Sequence, residues 1–197
     1  PETLQRYLAA RALYAERRFD QALALLEDNE PAAADFAANS FLIGKIHFFR
    51  EDYDQAQRTW ERTLATHPHH LDSRKWLVRL HLLREQPEQA SQVLTPAFAD
   101  SAEDPELLIL LGRVLRQRGE LAGAIEALSK AQVFAERNAE ASLELAEIYH
   151  GIGLADRERE QLQRAGSLLA QDGALSASIA ARLDRLRAEA SGEEFGP

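Results

Sequence analysis

Four alanines, Ala22, Ala56, Ala90 and Ala124, stand 34 residues apart with no insertion between them, and this spacing constrains the fold more than any other feature of the chain. Each closes a similar string: Phe19-Asp20-Gln21-Ala22, Tyr53-Asp54-Gln55-Ala56, Pro87-Glu88-Gln89-Ala90 and Leu121-Ala122-Gly123-Ala124. Four residues beyond each alanine comes a large apolar side chain, Leu26, Trp60, Leu94 or Leu128. Twelve residues before three of them comes a small one, Ala10, Gly44 or Gly112, with Val78 as the exception. A fifth copy runs in phase through Ala146, Tyr149, Leu162 and Ala165, with Glu158 where the alanine is expected. A period of this length marks a supersecondary unit that cannot bury its apolar faces alone and must stack on its neighbours.

Units counted from Thr3, Ala37, Leu71, Pro105 and Ala139 read as pairs of helices. Small residues at positions 8 and 20 let the two helices of a pair approach near the lower end of the usual separation of about 8–10 Å. Large apolar residues at 7, 11 and 24 fill the space beside that contact. Arg50, Arg84 and Arg118 fall in the last turn of a first helix, and Asp20, Asp54 and Glu88 open second helices, both favourable for the helix dipole. Breaks are predicted near residues 17–18, 51–52, 85–86, 119–120 and 153–154. A last amphipathic helix keeps Ile179, Ala180 and Leu183 in phase, with Arg182, Asp184, Arg185, Arg187 and Glu189 on its other faces for water, the pattern of a cap. No polar cap precedes the first unit, so Leu4, Tyr7 and Leu8 are expected either to be exposed or to be covered by sequence outside this chain.

The pattern resembles the tetratricopeptide repeat family, whose unit is a 34-residue antiparallel helix pair. The second unit matches best, with Gly44, Tyr53, Ala56, Trp60 and Pro68; the third departs most, with Val78 and Pro87. The resemblance spans residues 3–172. It implies an all-α, right-handed superhelical solenoid with repeats 3–36, 37–70, 71–104, 105–138 and 139–172. With a capping helix at 173–189, the expectation is one domain over 1–189 and a flexible tail over 190–197.

Composition narrows the function. Hydrophobic residues at 45% and charged residues at 28% speak for a folded chain. The absence of Cys excludes disulfides, a thiol nucleophile and Cys-ligated metals. A net charge of −9 is the wrong sign for binding a phosphate backbone, so no nucleic acid is expected, RNA included. No apolar run approaches the roughly 20 residues of a membrane helix, so no membrane insertion is expected. Three Lys against 20 Arg suggest a GC-rich bacterial source. Pro1 and the lack of Met suggest a trimmed chain, which leaves room for a removed signal or anchor and keeps bacterial cytoplasm and periplasm both open.

Enzyme chemistry finds little support. Gly151-Ile152-Gly153 sits where the fifth turn belongs, not where a phosphate loop would, and no hydrolase or kinase signature occurs. His67, His69 and His70 cluster around Pro68 with Asp72 nearby, but their spacing matches no metal motif, so neither metal nor cofactor is expected. His47 and His81, both at position 11, are expected to pack rather than ligate.

The informative stripe lies on the first helices, where positions 5, 9 and 12 share one face. Position 9 reads Arg11, Lys45, Arg79 and Arg113, a basic ladder in an acidic protein, and then Glu147. In the family this face lines a concave groove that binds peptides. The resemblance therefore implies a partner-binding groove of Tyr7, Arg11, Tyr14, Phe41, Lys45, Phe48, Lys75, Arg79, Leu82, Ile109, Arg113 and Arg116. Aromatic rings and Arg dominate binding hot spots, and Arg pairs with carboxylates in bidentate geometry. The expected partner is a protein or peptide with acidic and apolar side chains. The positions of the family's carboxylate clamp for chaperone tails hold Tyr7, Arg11, Leu42, Asp72 and Trp76, without asparagine and with an intruding acid, so that mode is not expected. The rival reading is a structural one, a homo-oligomer whose groove is filled by a neighbouring copy or a missing terminal segment.

Overall fold

Every predicted break carries one residue in left-handed backbone, and these residues recur at the repeat period: Arg17 (φ 58°), Glu51 (65°), Glu85 (55°), Gly119 (78°) and Gly153 (73°). A single such residue reverses the chain after a helix and hands it to the next one. The computed structural model describes residues 2–29, 35–136, 138–172 and 177–191. Among these it is all helical, with no strand. The elements are α1 (Glu2–Ala15), α2 (Phe19–Asn29), α3 (Ala37–Phe49), α4 (Tyr53–Thr66), α5 (Leu71–Leu83), α6 (Pro87–Leu94), α7 (Phe98–Ser101), α8 (Pro105–Gln117), α9 (Leu121–Phe134), α10 (Ala139–Gly151), α11 (Ala155–Asp172) and α12 (Ala177–Ser191).

Two details differ from expectation. The second helix of the third repeat stops at Leu94 and passes through a 3-10 turn, Thr95–Ala97, into the one-turn α7. Pro96 explains this, since a proline has no N–H to continue the helical ladder. The capping helix reaches Ser191, so the tail expected from residue 190 starts too early. Residues 173–176 and 192–197 of the expected cap and tail lie outside the described residues.

The chain divides into two compact units, residues 1–84 and 85–197. In the first, α1 pairs with α2 and α3 with α4, while α2 meets α3, α4 meets α5 and α1 meets α3. Its core gathers Ala10, Ala22, Leu26, Leu42, Ile43 and Ile46. In the second, α8 pairs with α9 and α10 with α11, α6 packs on α8, and α12 lies against both α10 and α11. Leu108, Leu128 and Leu145 belong to one core cluster there, and Leu143, Leu162, Leu183 and Leu186 to another.

In the second and fourth repeats the small residue at position 8 is required sterically. A Cβ on Gly44 would stand 2.2 Å from the Trp60 indole nitrogen, and one on Gly112 would stand 2.5 Å from Leu128 Cγ. The Trp60 ring is fully buried and donates its N–H to the Phe41 carbonyl at 3.3 Å. Polar contacts tie repeat to repeat in the first unit. Buried Asn29 donates to Asn39 Oδ1 at 3.0 Å and to the Thr3 carbonyl at 3.1 Å, and Asn39 donates to the Leu26 carbonyl at 3.0 Å. Arg50 reaches Asp20 and Arg84 reaches Asp54, the same bridge one repeat apart. Four of the residues expected to complement helix dipoles thus also pair between repeats.

Candidate functional site

Helical periodicity brings positions 5, 9 and 12 of α1 and the corresponding residues of α3 onto one side of unit 1. There Tyr7, Arg11, Tyr14, Phe41 and Lys45 line a cleft of about 480 Å³ together with Ala15, Ala38, Leu42, His70 and Asp72. Tyr7 is steadied by an edge contact with Phe36, ring centroids 4.8 Å apart, and Phe41 lies 5.5 Å from the His70 ring.

The charges in this cleft are held by aromatic faces rather than by carboxylates. Lys45 Nζ stands 5.0 Å from the Tyr14 ring, 5.0 Å from the Trp76 ring and 5.8 Å from the Phe41 ring. The Arg11 guanidinium lies 5.9 Å from the Tyr7 ring. All are within the roughly 6 Å over which a ring quadrupole attracts a cation. Neither Arg11 nor Lys45 forms an ion pair with any described residue. Burial pulls the Lys45 ammonium below its ordinary pKa, an effect that Asp72 opposes and Arg79 reinforces. Burial likewise pushes the Tyr14 hydroxyl up and the His70 imidazole down.

His70 and Asp72 occupy the start of α5. His70 is the N-cap, its Nδ1 accepting the Ser73 backbone N–H at 3.2 Å. That bond leaves the ring proton on Nε2 in the neutral form. Asp72, in the first turn, is exposed and makes no hydrogen bond or ion pair with a described residue.

The remaining groove residues have other surroundings. In unit 1, Phe48 packs in a knot of rings with Phe49, Tyr53, Trp60 and Trp76 at 5.2–6.1 Å. Lys75 and Leu82 are buried, and the Arg79 guanidinium lies 5.3 Å from the Trp76 ring. In unit 2, Ile109 is buried in the core beside Leu108 and Leu128.

Arg113 and Arg116 meet carboxylates. Arg113 Nε donates to Glu144 at 2.7 Å and its Nη2 to Glu140 at 2.6 Å. Arg116 bridges Glu144 at 3.1 Å and Glu147 at 3.3 Å. From α12, Arg182 reaches Glu144 at 2.9 Å and Glu147 at 2.7 Å. Three guanidiniums and three carboxylates therefore zip α8, α10 and α12 together. Arg182, expected on a face turned to water, belongs instead to this network, with 20% of its side chain exposed. The sequence carried a signal for it, since Glu140, Glu144 and Glu147 stand at i, i+4 and i+7 on one face of α10.

His67, from the loop cluster, lies 2.9 Å from Thr66 Oγ1, and among the described residues no three potential metal ligands converge. No helix among them is long and apolar enough to cross a membrane.

Residues 50–114 match the family model of the tetratricopeptide repeat. Solved structures similar to this chain include a thermophilic TPR protein of Thermus thermophilus, 20% identical with a TM-score of 0.77 over 94% of this chain and 98% of that one. PilW, described as a widely conserved type IV pilus biogenesis factor, is 16% identical with a TM-score of 0.81 over 97% of this chain and 86% of its own. YrrB, described as a TPR protein with an unusual peptide-binding site, is 19% identical with a TM-score of 0.65 over 91% and 90%. At these identities the likeness is one of fold.

Proposed function

We propose that this chain, a tetratricopeptide-repeat protein, is a non-catalytic scaffold that binds a protein segment bearing acidic and apolar side chains in the cleft of its first unit. One observation carries the reading: the cleft gathers five residues of the sequence stripe, and its two cations, Arg11 and Lys45, have no carboxylate partner among the described residues. A half-buried ammonium among rings has already lost part of its hydration, so an arriving carboxylate has less water to displace. The rings of Tyr7, Tyr14 and Phe41 offer rigid apolar area to an anchor side chain. A peptide-binding site is named for YrrB, a protein of the same fold, which supports the reading by analogy.

The test is an array of acetylated, amidated peptides carrying Glu or Asp within four residues of Phe or Leu, beside copies with Gln or Asn in place of the acid. The acidic set should bind, and the double substitution Arg11→Glu with Lys45→Glu should abolish binding while helicity and Tm hold. Reversing Arg58 and Arg164, exposed on α4 and α11, changes the net charge equally and should do little. Equal loss in both double variants would mean that diffuse charge, not the cleft, attracts the peptide.

The rival reading, self-association, has its own support in Leu4 and Leu8, which are about half exposed on α1 (52% and 50%). A molecular mass that rises with concentration, and falls on Leu4→Glu with Leu8→Glu, would favour it.

A further inference from the structure

We propose that the cleft of unit 1 selects a dipolar segment, one whose carboxylate seats on Arg11 and Lys45 while a nearby Lys or Arg side chain of the same partner is held by Asp72. This rests on the reading that the cleft is a binding site, and adds to it a second charge of opposite sign as a determinant of specificity.

The charges facing the cleft are two cations, Arg11 and Lys45, one anion, Asp72, and the imidazole of His70. Capping of α5 falls to His70, which accepts the Ser73 N–H. Asp72 stands in the first turn of α5, where its charge favours the helix dipole, but no hydrogen bond or ion pair with a described residue engages its carboxylate. Lys45, whose pKa its field raises against the effect of burial, does not pair with it, because the ammonium is held over the Tyr14 and Trp76 rings. Opposite charges thus stand in one cleft and feel each other's field without forming an ion pair. A purely acidic segment would bring its charge into the field of Asp72, and like charges in a partly dehydrated cleft repel. A segment that alternates acid and base satisfies both signs of charge. His70 supports the same polarity: its Nε2–H is a donor to a neutral or anionic group and offers a cation nothing.

Three acetylated, amidated peptide sets of equal length, each built around a Phe anchor, separate the possibilities. The dipolar set holds one Glu and one Lys one to four residues apart on either side, the acid-only set has Gln for that Lys, and the basic-only set has Gln for that Glu. The half-buried Trp76 ring, in contact with Lys45, supplies a fluorescence readout, with calorimetry beside it. At least one dipolar spacing should bind about two- to fivefold more tightly than its acid-only counterpart, the scale of an ion pair to an exposed carboxylate. Asp72→Asn should erase that preference while leaving acid-only binding equal or stronger. Asp72→Lys should invert it, making the acid-only set the tighter binder. Should acid-only and dipolar peptides bind alike, with Asp72→Asn raising both equally, the proposal falls and the cleft remains a simple acid receptor. Binding of none of the sets, or binding indifferent to Lys45→Gln, would overturn this proposal together with the reading of the cleft as a binding site.

Discussion

Replacing Glu144 with Gln tests whether the charge network of unit 2 is a structural staple. The side chain is 2% exposed and accepts from Arg113 at 2.7 Å, Arg182 at 2.9 Å and Arg116 at 3.1 Å. Gln keeps the shape but removes the charge, leaving three guanidiniums against Glu140 and Glu147. A charge-assisted hydrogen bond contributes about 1.5–3 kcal/mol and a neutral one about 0.5–1.5; bonds to the amide oxygen weaken, and the bond at the other position is lost because an amide nitrogen donates and cannot accept from a guanidinium, so the cost is about 4–5 kcal/mol. That agrees with the roughly 3–5 kcal/mol lost when one partner of a buried pair is removed. The arginines keep 20–37% of their side chains exposed, and water there moves the expectation to about 3 kcal/mol. Burial alone would push the Glu144 carboxyl up, but Arg113, Arg182 and Arg116 hold it below the usual carboxylate range. A carboxyl depressed in the folded state adds stability above its unfolded pKa of about 4.3, and loses it as pH falls through the folded value. The gap between wild type and Glu144→Gln should therefore be full at pH 7 and narrow below about pH 4. Urea melts followed by far-UV circular dichroism measure it, because both tryptophans, Trp60 and Trp76, lie in unit 1. A loss below about 1 kcal/mol at pH 7, or a gap constant down to pH 2, would refute the reasoning.

Two further outcomes concern backbone and packing. Gly44→Ala gains up to about 1 kcal/mol of helix propensity yet drives a methyl into the rigid Trp60 ring, so a net loss of about 1–2 kcal/mol is expected in thermal melts. Gly151→Ala, with nothing within 4 Å of the new methyl, should be neutral or stabilising. Gly119→Ala meets no neighbour but must hold a φ of 78°, and should cost about 1–2 kcal/mol from backbone strain alone, while Glu51→Gly at the equivalent turn should be neutral or stabilising.

The sequence by itself determined the helices, their breaks and the close crossings. Alanine and glycine at fixed offsets, Gly44 facing Trp60 and Gly112 facing Leu128, are local instructions repeated until only a stack of helix pairs satisfies them. It also determined which side of α1 and α3 carries Tyr7, Arg11, Tyr14, Phe41 and Lys45, since a helix face follows from residue spacing alone. Tertiary structure decided what each charge meets. Lys45 and Arg113 share position 9 of their repeats, yet one stands among rings and the other between Glu140 and Glu144. The stripe read from positions 5, 9 and 12 likewise had no place for Trp76 or for Arg182 of the cap. An ion pair is made by side chains that arrive from separate helices, and Arg113, Glu144 and Arg182 become neighbours only once α8, α10 and α12 are packed side by side.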